Sequence, residues 1–230
     1  LAVGNVVGSN IFNTLLIVGV AALVLPITIL KTTVRKDIPF AVLASAALFL
    51  LCLDGNISRV DAGFLLILFF FFMGYTLFTA KSGDVPAAEE KKPMKPLVAA
   101  MWLLVGLLCL VFGSNLFVDG ATTVAKTMGV SDAIIGLTIV AGGTSLPELA
   151  TSVVAARKGN SGIAIGNVLG SNVFNILFIL GVTGVISPMN IQGIGTVDLT
   201  VLFGSMVLMW LLSFTKYTIS RIEGTFMASC

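Results

Sequence analysis

Apolar residues run along this chain in long stretches, separated by short polar segments. The pattern predicts seven helical spans, near 1–30, 38–53, 62–80, 97–118, 132–156, 162–187 and 197–215. A helix needs about 20 residues to cross a bilayer, so the span at 38–53 must borrow flanking residues. The run Leu65–Met73, with Phe69 to Phe72 in a row, is apolar on all sides and predicts a peripheral, lipid-facing helix. Segment 81–96 breaks the apolar pattern with Lys81, Pro86, Glu89, Glu90, Lys91, Lys92, Pro93, Lys95 and Pro96. Proline and charge at that density predict a mobile linker between 1–80 and 97–230.

Polar residues enter two of the spans at a fixed interval. Asn5, Ser9 and Asn13 are four apart, as are Asn167, Ser171 and Asn175, so each set forms a stripe on one helix face. The stripes belong to one repeated motif, GNVVGSNIFN at 4–13 and GNVLGSNVFN at 166–175. At the shift of 162 residues, 14 of 26 positions from 1–26 and 163–188 are identical. The second motif lies five spans after the first; an odd number makes the two copies face opposite ways. Inverted repeats with polar residues inside apolar helices point to a secondary transporter. Gly4 and Gly8, like Gly166 and Gly170, form GxxxG pairs that predict close approach of another backbone. For one copy alone, helix packing with Asn and Ser as interhelical glue is the competing reading.

Composition sharpens this. Hydrophobic residues make up 57%, charged residues 10%, and mean hydropathy is +1.08. A water-soluble chain of this length carries about a quarter charged residues, so membrane integration is expected. The net charge of +2 does not indicate nucleic acid, because the Lys and Arg lie in short loops. With no His and no CxxC, haem, zinc–histidine chemistry and a disulfide framework are not expected; Cys52, Cys109 and Cys230 read as packing residues. Alternating the loops between sides puts eleven Lys and Arg on one side and two, Arg59 and Lys126, on the other. Positive residues mark the cytoplasmic side, so the linker 81–96 is expected there, in a multi-pass plasma (inner) membrane protein.

One acid falls mid-span. Glu148, in AGGTSLPE at 141–148, lies inside the apolar span, between the charges Asp132 and Arg157 at its ends. An ionisable group there costs about 2.5–3.5 kcal/mol on insertion scales, so it is expected to face a cavity. A hydrogen-bonded structural acid is the competing reading. Thr144 and Ser145 precede it by four and three residues and share its face. Pro147 lacks an N–H, so the Gly143 carbonyl is expected to lose its helical partner and the helix to break there. Carboxylate, hydroxyl, amide and carbonyl oxygens, without His or thiolate, make a hard all-oxygen site suited to calcium and sodium. Asp37, Asp54, Asp61, Asp119 and Asp198 sit at span ends and read as interfacial or capping residues.

These motifs resemble the cation/calcium exchanger superfamily, the sodium/calcium exchangers, and above all its bacterial inner-membrane members. The resemblance rests on GLTIVAGGTSLPELATSVVAA at 136–156, IGNVLGSNVFNILFILG at 165–181 and the partner copy at 4–20, and it covers nearly the whole chain. It implies an all-α membrane fold of ten helices in two inverted five-helix halves that exchange sodium for calcium by alternating access. It further implies that Glu148 is the central ligand for Ca2+ and Na+. Thr144, Ser145, Ser171, Asn175, Ser9 and Asn13, with the carbonyls of Ala141 and Gly142, would complete the site. The fourth span, running on toward Lys126, is similar to a family helix that slides across the core. The position of Asn175 is often aspartate in the family, so the paired amides Asn13 and Asn175 imply a less charged site. Counterparts of Thr144, Ser145 and Glu148 would fall upstream of Leu1, and the last helix would run past Cys230. The expectation is a ten-helix protein cut to about seven, with an incomplete ion site in this form and no resident cofactor. A proton- or potassium-coupled exchanger and a passive cation channel are the competing functions. An enzyme is not expected, since no nucleophile–base pair is visible.

Overall fold

The computed structural model describes residues 2–81, 95–130, 135–191 and 194–230. Helix α1 is continuous over Ala2–Val24 and contains a π-helical turn at Asn13–Ile17. It stops short of the predicted 30 because Leu25, which precedes Pro26, is extended at φ −147°. A π-helical turn at Thr33–Asp37 leads into α2, Ile38–Leu51, and α3 spans Arg59–Lys81. Helix α4 runs over Pro96–Thr127. Two short helices, α5 at Ala141–Thr144 and α6 at Leu146–Arg157, meet at a bend of 52°. Helix α7, Ser161–Ile186, carries its own π-helical turn at Phe174–Ile179; α8 is Thr196–Ser213 and α9 is Arg221–Ser229.

Among the described residues five helices are long and apolar enough to cross a membrane, or six with the bent pair counted as one span. The molecule is thus an all-α, multi-pass membrane protein. The one predicted span left over, near 38–53, contains α2, which has 14 residues. That is roughly 21 Å of helix, short of the ~30 Å hydrocarbon core. Most of the linker 81–96, and Asp132, lie outside the described residues.

The 162-residue shift reappears in the packing. Strand β1, Ile27–Thr28, pairs with β4, Thr218–Ile219, and β2, Asn56–Ile57, pairs with β3, Met189–Asn190, both antiparallel. Adding 162 to β1 and β2 gives β3 and β4, so the two ladders are copies of each other. Ser58 and Asp61 cap α3 reciprocally, at 2.9 and 3.2 Å, as Ser220 and Glu223 cap α9 at 2.7 and 3.3 Å. Asp198 likewise accepts from the Gly195 N–H at 2.8 Å, as expected of an acid at a span end.

Close helix contacts follow the same rule, but not at the GxxxG glycines. A methyl group at Gly166 or Gly170 would meet nothing within 4 Å, and one at Gly4 would reach only Ile194. These glycines instead line two cavities, of about 370 Å³ beside Gly4 and Gly8 and about 250 Å³ beside Gly166 and Gly170. Tight crossings occur where α1 meets α9 and α7 meets α3. A Cβ on Gly224 would stand 2.8 Å from the Ala22 methyl, and one on Gly184 would stand 2.7 Å from the Ala62 methyl. The glycine and the alanine have exchanged helices between the two copies, so each crossing holds one methyl and no more.

Helix α3 is not lipid-facing all round. Phe70 and Phe71 are exposed, but Phe69 is buried edge-on against Phe174 (5.8 Å between centroids) and Phe72 stacks on Phe40 at 4.5 Å. Apolar character on every side hides this from the sequence, because both faces are equally hydrophobic. The predicted charge asymmetry has a counterpart in the fold. The end carrying β1 and β4 also carries Lys31 over the Tyr217 ring (5.4 Å), and the turn after Arg157 and Lys158, where Ser161 Oγ accepts from the Thr28 N–H at 3.2 Å.

Candidate cation site at a helix break

Ser145 sits between α5 and α6 at φ −97°, ψ 2°, and Pro147 follows at the start of α6. The predicted break is therefore present, but its carbonyls are not bare. Gly142 O accepts from the Ser145 N–H at 3.1 Å and Ala141 O accepts from Thr144 Oγ1 at 2.9 Å. The Gly143 carbonyl also accepts a backbone N–H at this cap. A tight turn has replaced the helical partner that Pro147 removes. Each carbonyl keeps a second lone pair. The break places the carbonyl end of α5 and the N–H end of α6 together, so it suits a cation beside a carboxylate.

Glycine makes room for the break. A methyl on Gly142 would lie 3.2 Å from the Phe12 ring of α1, and one on Gly143 would run into the Val118 side chain of α4. Glu148, half-buried in the first turn of α6, directs Oε1 to Ser171 Oγ of α7 at 3.5 Å. Its other oxygen, Oε2, is buried without a protein partner among the described residues. Asn167 holds the acid's backbone, donating to the Glu148 carbonyl at 3.2 Å and to Ser152 Oγ at 3.1 Å.

From the opposite side α1 brings Ser9, whose Oγ is 3.3 Å from Thr144 Oγ1. One turn on, Asn13 donates to Asn172 Oδ1 of α7 at 3.1 Å, and its own Oδ1 is buried with no partner among the described residues. Asn175 donates to Asn10 Oδ1 at 3.2 Å. Thr144, Ser9, Asn13, Asn172, Ser171 and Glu148 thus form a ring through α5, α1, α7 and α6. Hydrogen bonds link Thr144 to Ser9, Asn13 to Asn172 and Ser171 to Glu148. One helical turn separates Ser9 from Asn13, Asn172 adjoins Ser171, and the break joins Glu148 to Thr144. Ser145 is buried, while Thr144 is exposed. The π-helical turns of α1 and α7 begin at or beside Asn13 and Asn175, a distortion frequent at functional sites.

The predicted stripes are only partly realised. Asn5, counterpart of Asn167, is exposed and away from the ring. Asn10, Thr14, Ser152 and Asn172, buried at 0% exposure, were not singled out from the sequence. The signal existed for two of them: Asn10 and Asn172 recur in both copies, three residues before Asn13 and Asn175 and so on the same face. Among the described residues no group of three or more His, Cys, Asp and Glu gathers.

The solved structure of the sodium-calcium exchanger NCX_Mj, soaked with Na+ and Sr2+, superposes with a TM-score of 0.81 at 32% identity. The match covers 99% of this chain and 73% of that one. The putative antiporter CaxA of Alkalimonas amylolytica is 41% identical over 194 residues, 81% of this chain and 61% of its own length. The inner membrane protein YrbG of Escherichia coli is 38% identical over 197 residues, 82% of this chain and 61% of its own. The chain thus spans about three-fifths of these curated relatives. The match to the description "Sodium/calcium exchanger protein" extends over residues 1–78 and 98–230. With both copies of the motif and nearly all of the fold inside that match, the chain belongs to the sodium/calcium exchanger family.

Proposed function

We propose that the protein is a secondary cation antiporter that exchanges Na+ for Ca2+ by alternating access. Glu148 is its central ligand, with Thr144, Ser145, Ser171, Asn175, Ser9, Asn13 and the carbonyls of Ala141 and Gly142 around it. In this reading residues 1–80 and 97–230 contribute the two inverted halves. The linker 81–96 is cytoplasmic, in an inner membrane, in keeping with the loop charges and with the name of the Escherichia coli relative.

The observation that carries the reading is the pair of orphaned oxygens, Glu148 Oε2 and Asn13 Oδ1, on one hydrogen-bonded ring. A buried acceptor without a donor costs about 1–3 kcal/mol, and a bare cation removes that cost. Neutral ligands on the remaining sides keep the ion releasable, as exchange requires. The energetic source is the gradient: each Na+ moving inward adds a driving term that Ca2+ leaving can use.

The test is Ca2+ uptake into vesicles carrying the protein, driven by an outward Na+ gradient. Uptake is expected with sodium and is expected to fall to background in Glu148→Gln, which keeps shape and removes charge. Undiminished uptake in that variant would overturn the site assignment. Uptake following a proton or potassium gradient instead would replace the counter-ion, and current without counter-flux would mark a channel.

A further inference from the structure

The amide network between α1 and α7 has a direction, set by groups able only to accept. Thr14 Oγ1 lies 2.8 Å from the Asn10 backbone carbonyl, and its single proton goes there. Toward Asn172, 2.9 Å away, that hydroxyl must accept, so Asn172 presents its NH2 to Thr14. The remaining end of Asn172 is its oxygen, which faces Asn13 at 3.1 Å. Asn13 must then donate, and its own Oδ1 is left over, buried and unpartnered.

A second chain of the same logic runs the other way. The Asn172 backbone carbonyl, again only an acceptor, takes the Asn10 NH2 at 3.3 Å. Asn10 therefore offers its oxygen to Asn175 Nδ2 at 3.2 Å, which turns the Asn175 oxygen to its free end. Each half thus orients the ladder amide of the other. Without these relays an amide next to a cation is free to flip, and the flipped state points an N–H dipole at positive charge.

We propose that Thr14, Asn10 and Asn172 are positioning residues. They fix which atom of Asn13 and of Asn175 faces the cation and do not themselves touch it. This rests on the reading of the ring as a cation site. The relays differ in kind: Thr14 has Ile176 as its repeat counterpart, so only the Asn13 arm depends on a hydroxyl.

A rescue experiment separates orientation from packing, because aspartate has oxygen at both ends and needs no orienting. Binding of radioactive Ca2+ to the purified chain is measured for Thr14→Val and Thr14→Ser, each with Asn13 intact and with Asn13→Asp. Thr14→Val is expected to weaken binding about tenfold, Thr14→Ser to restore it, and Thr14→Val to cause no loss once Asn13 is Asp, where it frees Asn172 to turn its NH2 to the aspartate. Equal loss in both backgrounds, or no loss in either, overturns the relay. Absence of Ca2+ and Na+ binding by the unsubstituted chain would instead sink the cation site itself. Should Thr14→Val fail to fold, hydrogen exchange in the unsubstituted chain decides. The Asn13 side-chain NH2 is expected to be protected with and without Ca2+, and rapid exchange in both states overturns the proposal.

Discussion

Glu148 is held by its backbone as well as by its carboxylate. Asn167 spans from α7 to the Glu148 carbonyl and Ser152 Oγ, so Asn167→Ala removes both of these bonds with one cut. Side-chain hydrogen bonds inside membranes average about 0.6 kcal/mol and reach about 1.7 kcal/mol. A destabilisation of about 1 kcal/mol, read by denaturant unfolding in detergent, is expected, with weakened Ca2+ binding alongside it. Unchanged binding would show that α6 keeps the acid in place without Asn167. The four-residue spacing drew Asn5, Ser9 and Asn13 as equals, and likewise Asn167, Ser171 and Asn175. Spacing reports a face but neither depth nor partner, so it could not tell that Asn167 holds a backbone while Asn5 is exposed. Glu148 was legible because an acid in an apolar span has few other reasons to exist. Asn10 and Asn172 fall outside the four-residue spacing and are marked only by their i+3 relation to Asn13 and Asn175.

At the level of elements, the sequence announced the helix break through Pro147 and its neighbouring glycines, and the bend of 52° is there. The turn that re-pairs the carbonyls was not legible, since it depends on the path the chain takes after Pro147. Nor were the π-helical turns, which have no compositional signature. The glycine pattern misled for a physical reason: a small residue leaves a gap, and only the third dimension decides whether a helix or a cavity fills it. The tight crossings offer a direct trial. Gly224→Ala places two methyls where one fits, and overpacking of this kind costs about 1–3 kcal/mol. Adding Ala22→Gly reproduces the arrangement of Gly184 and Ala62, and is expected to recover at least half the loss in thermal stability. No recovery would mean that the Gly19 carbonyl, also 2.8 Å from the added methyl, dominates the clash.

For the whole molecule, the inverted repeat was readable to the residue. Strand pairs, caps and glycine–alanine contacts all obey the 162 shift because identical segments meet in both halves. Sidedness is testable at Lys216, in the turn before β4. With the native cysteines replaced by serine, Lys216→Cys is expected to react with a membrane-impermeant maleimide only from the cytoplasmic side. Asp54→Cys, before β2, is expected to react only from the opposite side, and a reversed pattern would invert the topology.

The two ladders tie loops of one half to loops of the other at opposite ends of the molecule. Such a body is hooped top and bottom like a cask, and parting its two halves would break backbone hydrogen bonds at a rim. Under the exchange proposed above, the ladders would favour movement at the periphery over separation of the two halves. Helix α4, bare along its most apolar stretch yet seated by Val118 on Gly143, is a stave that neither hoop encloses.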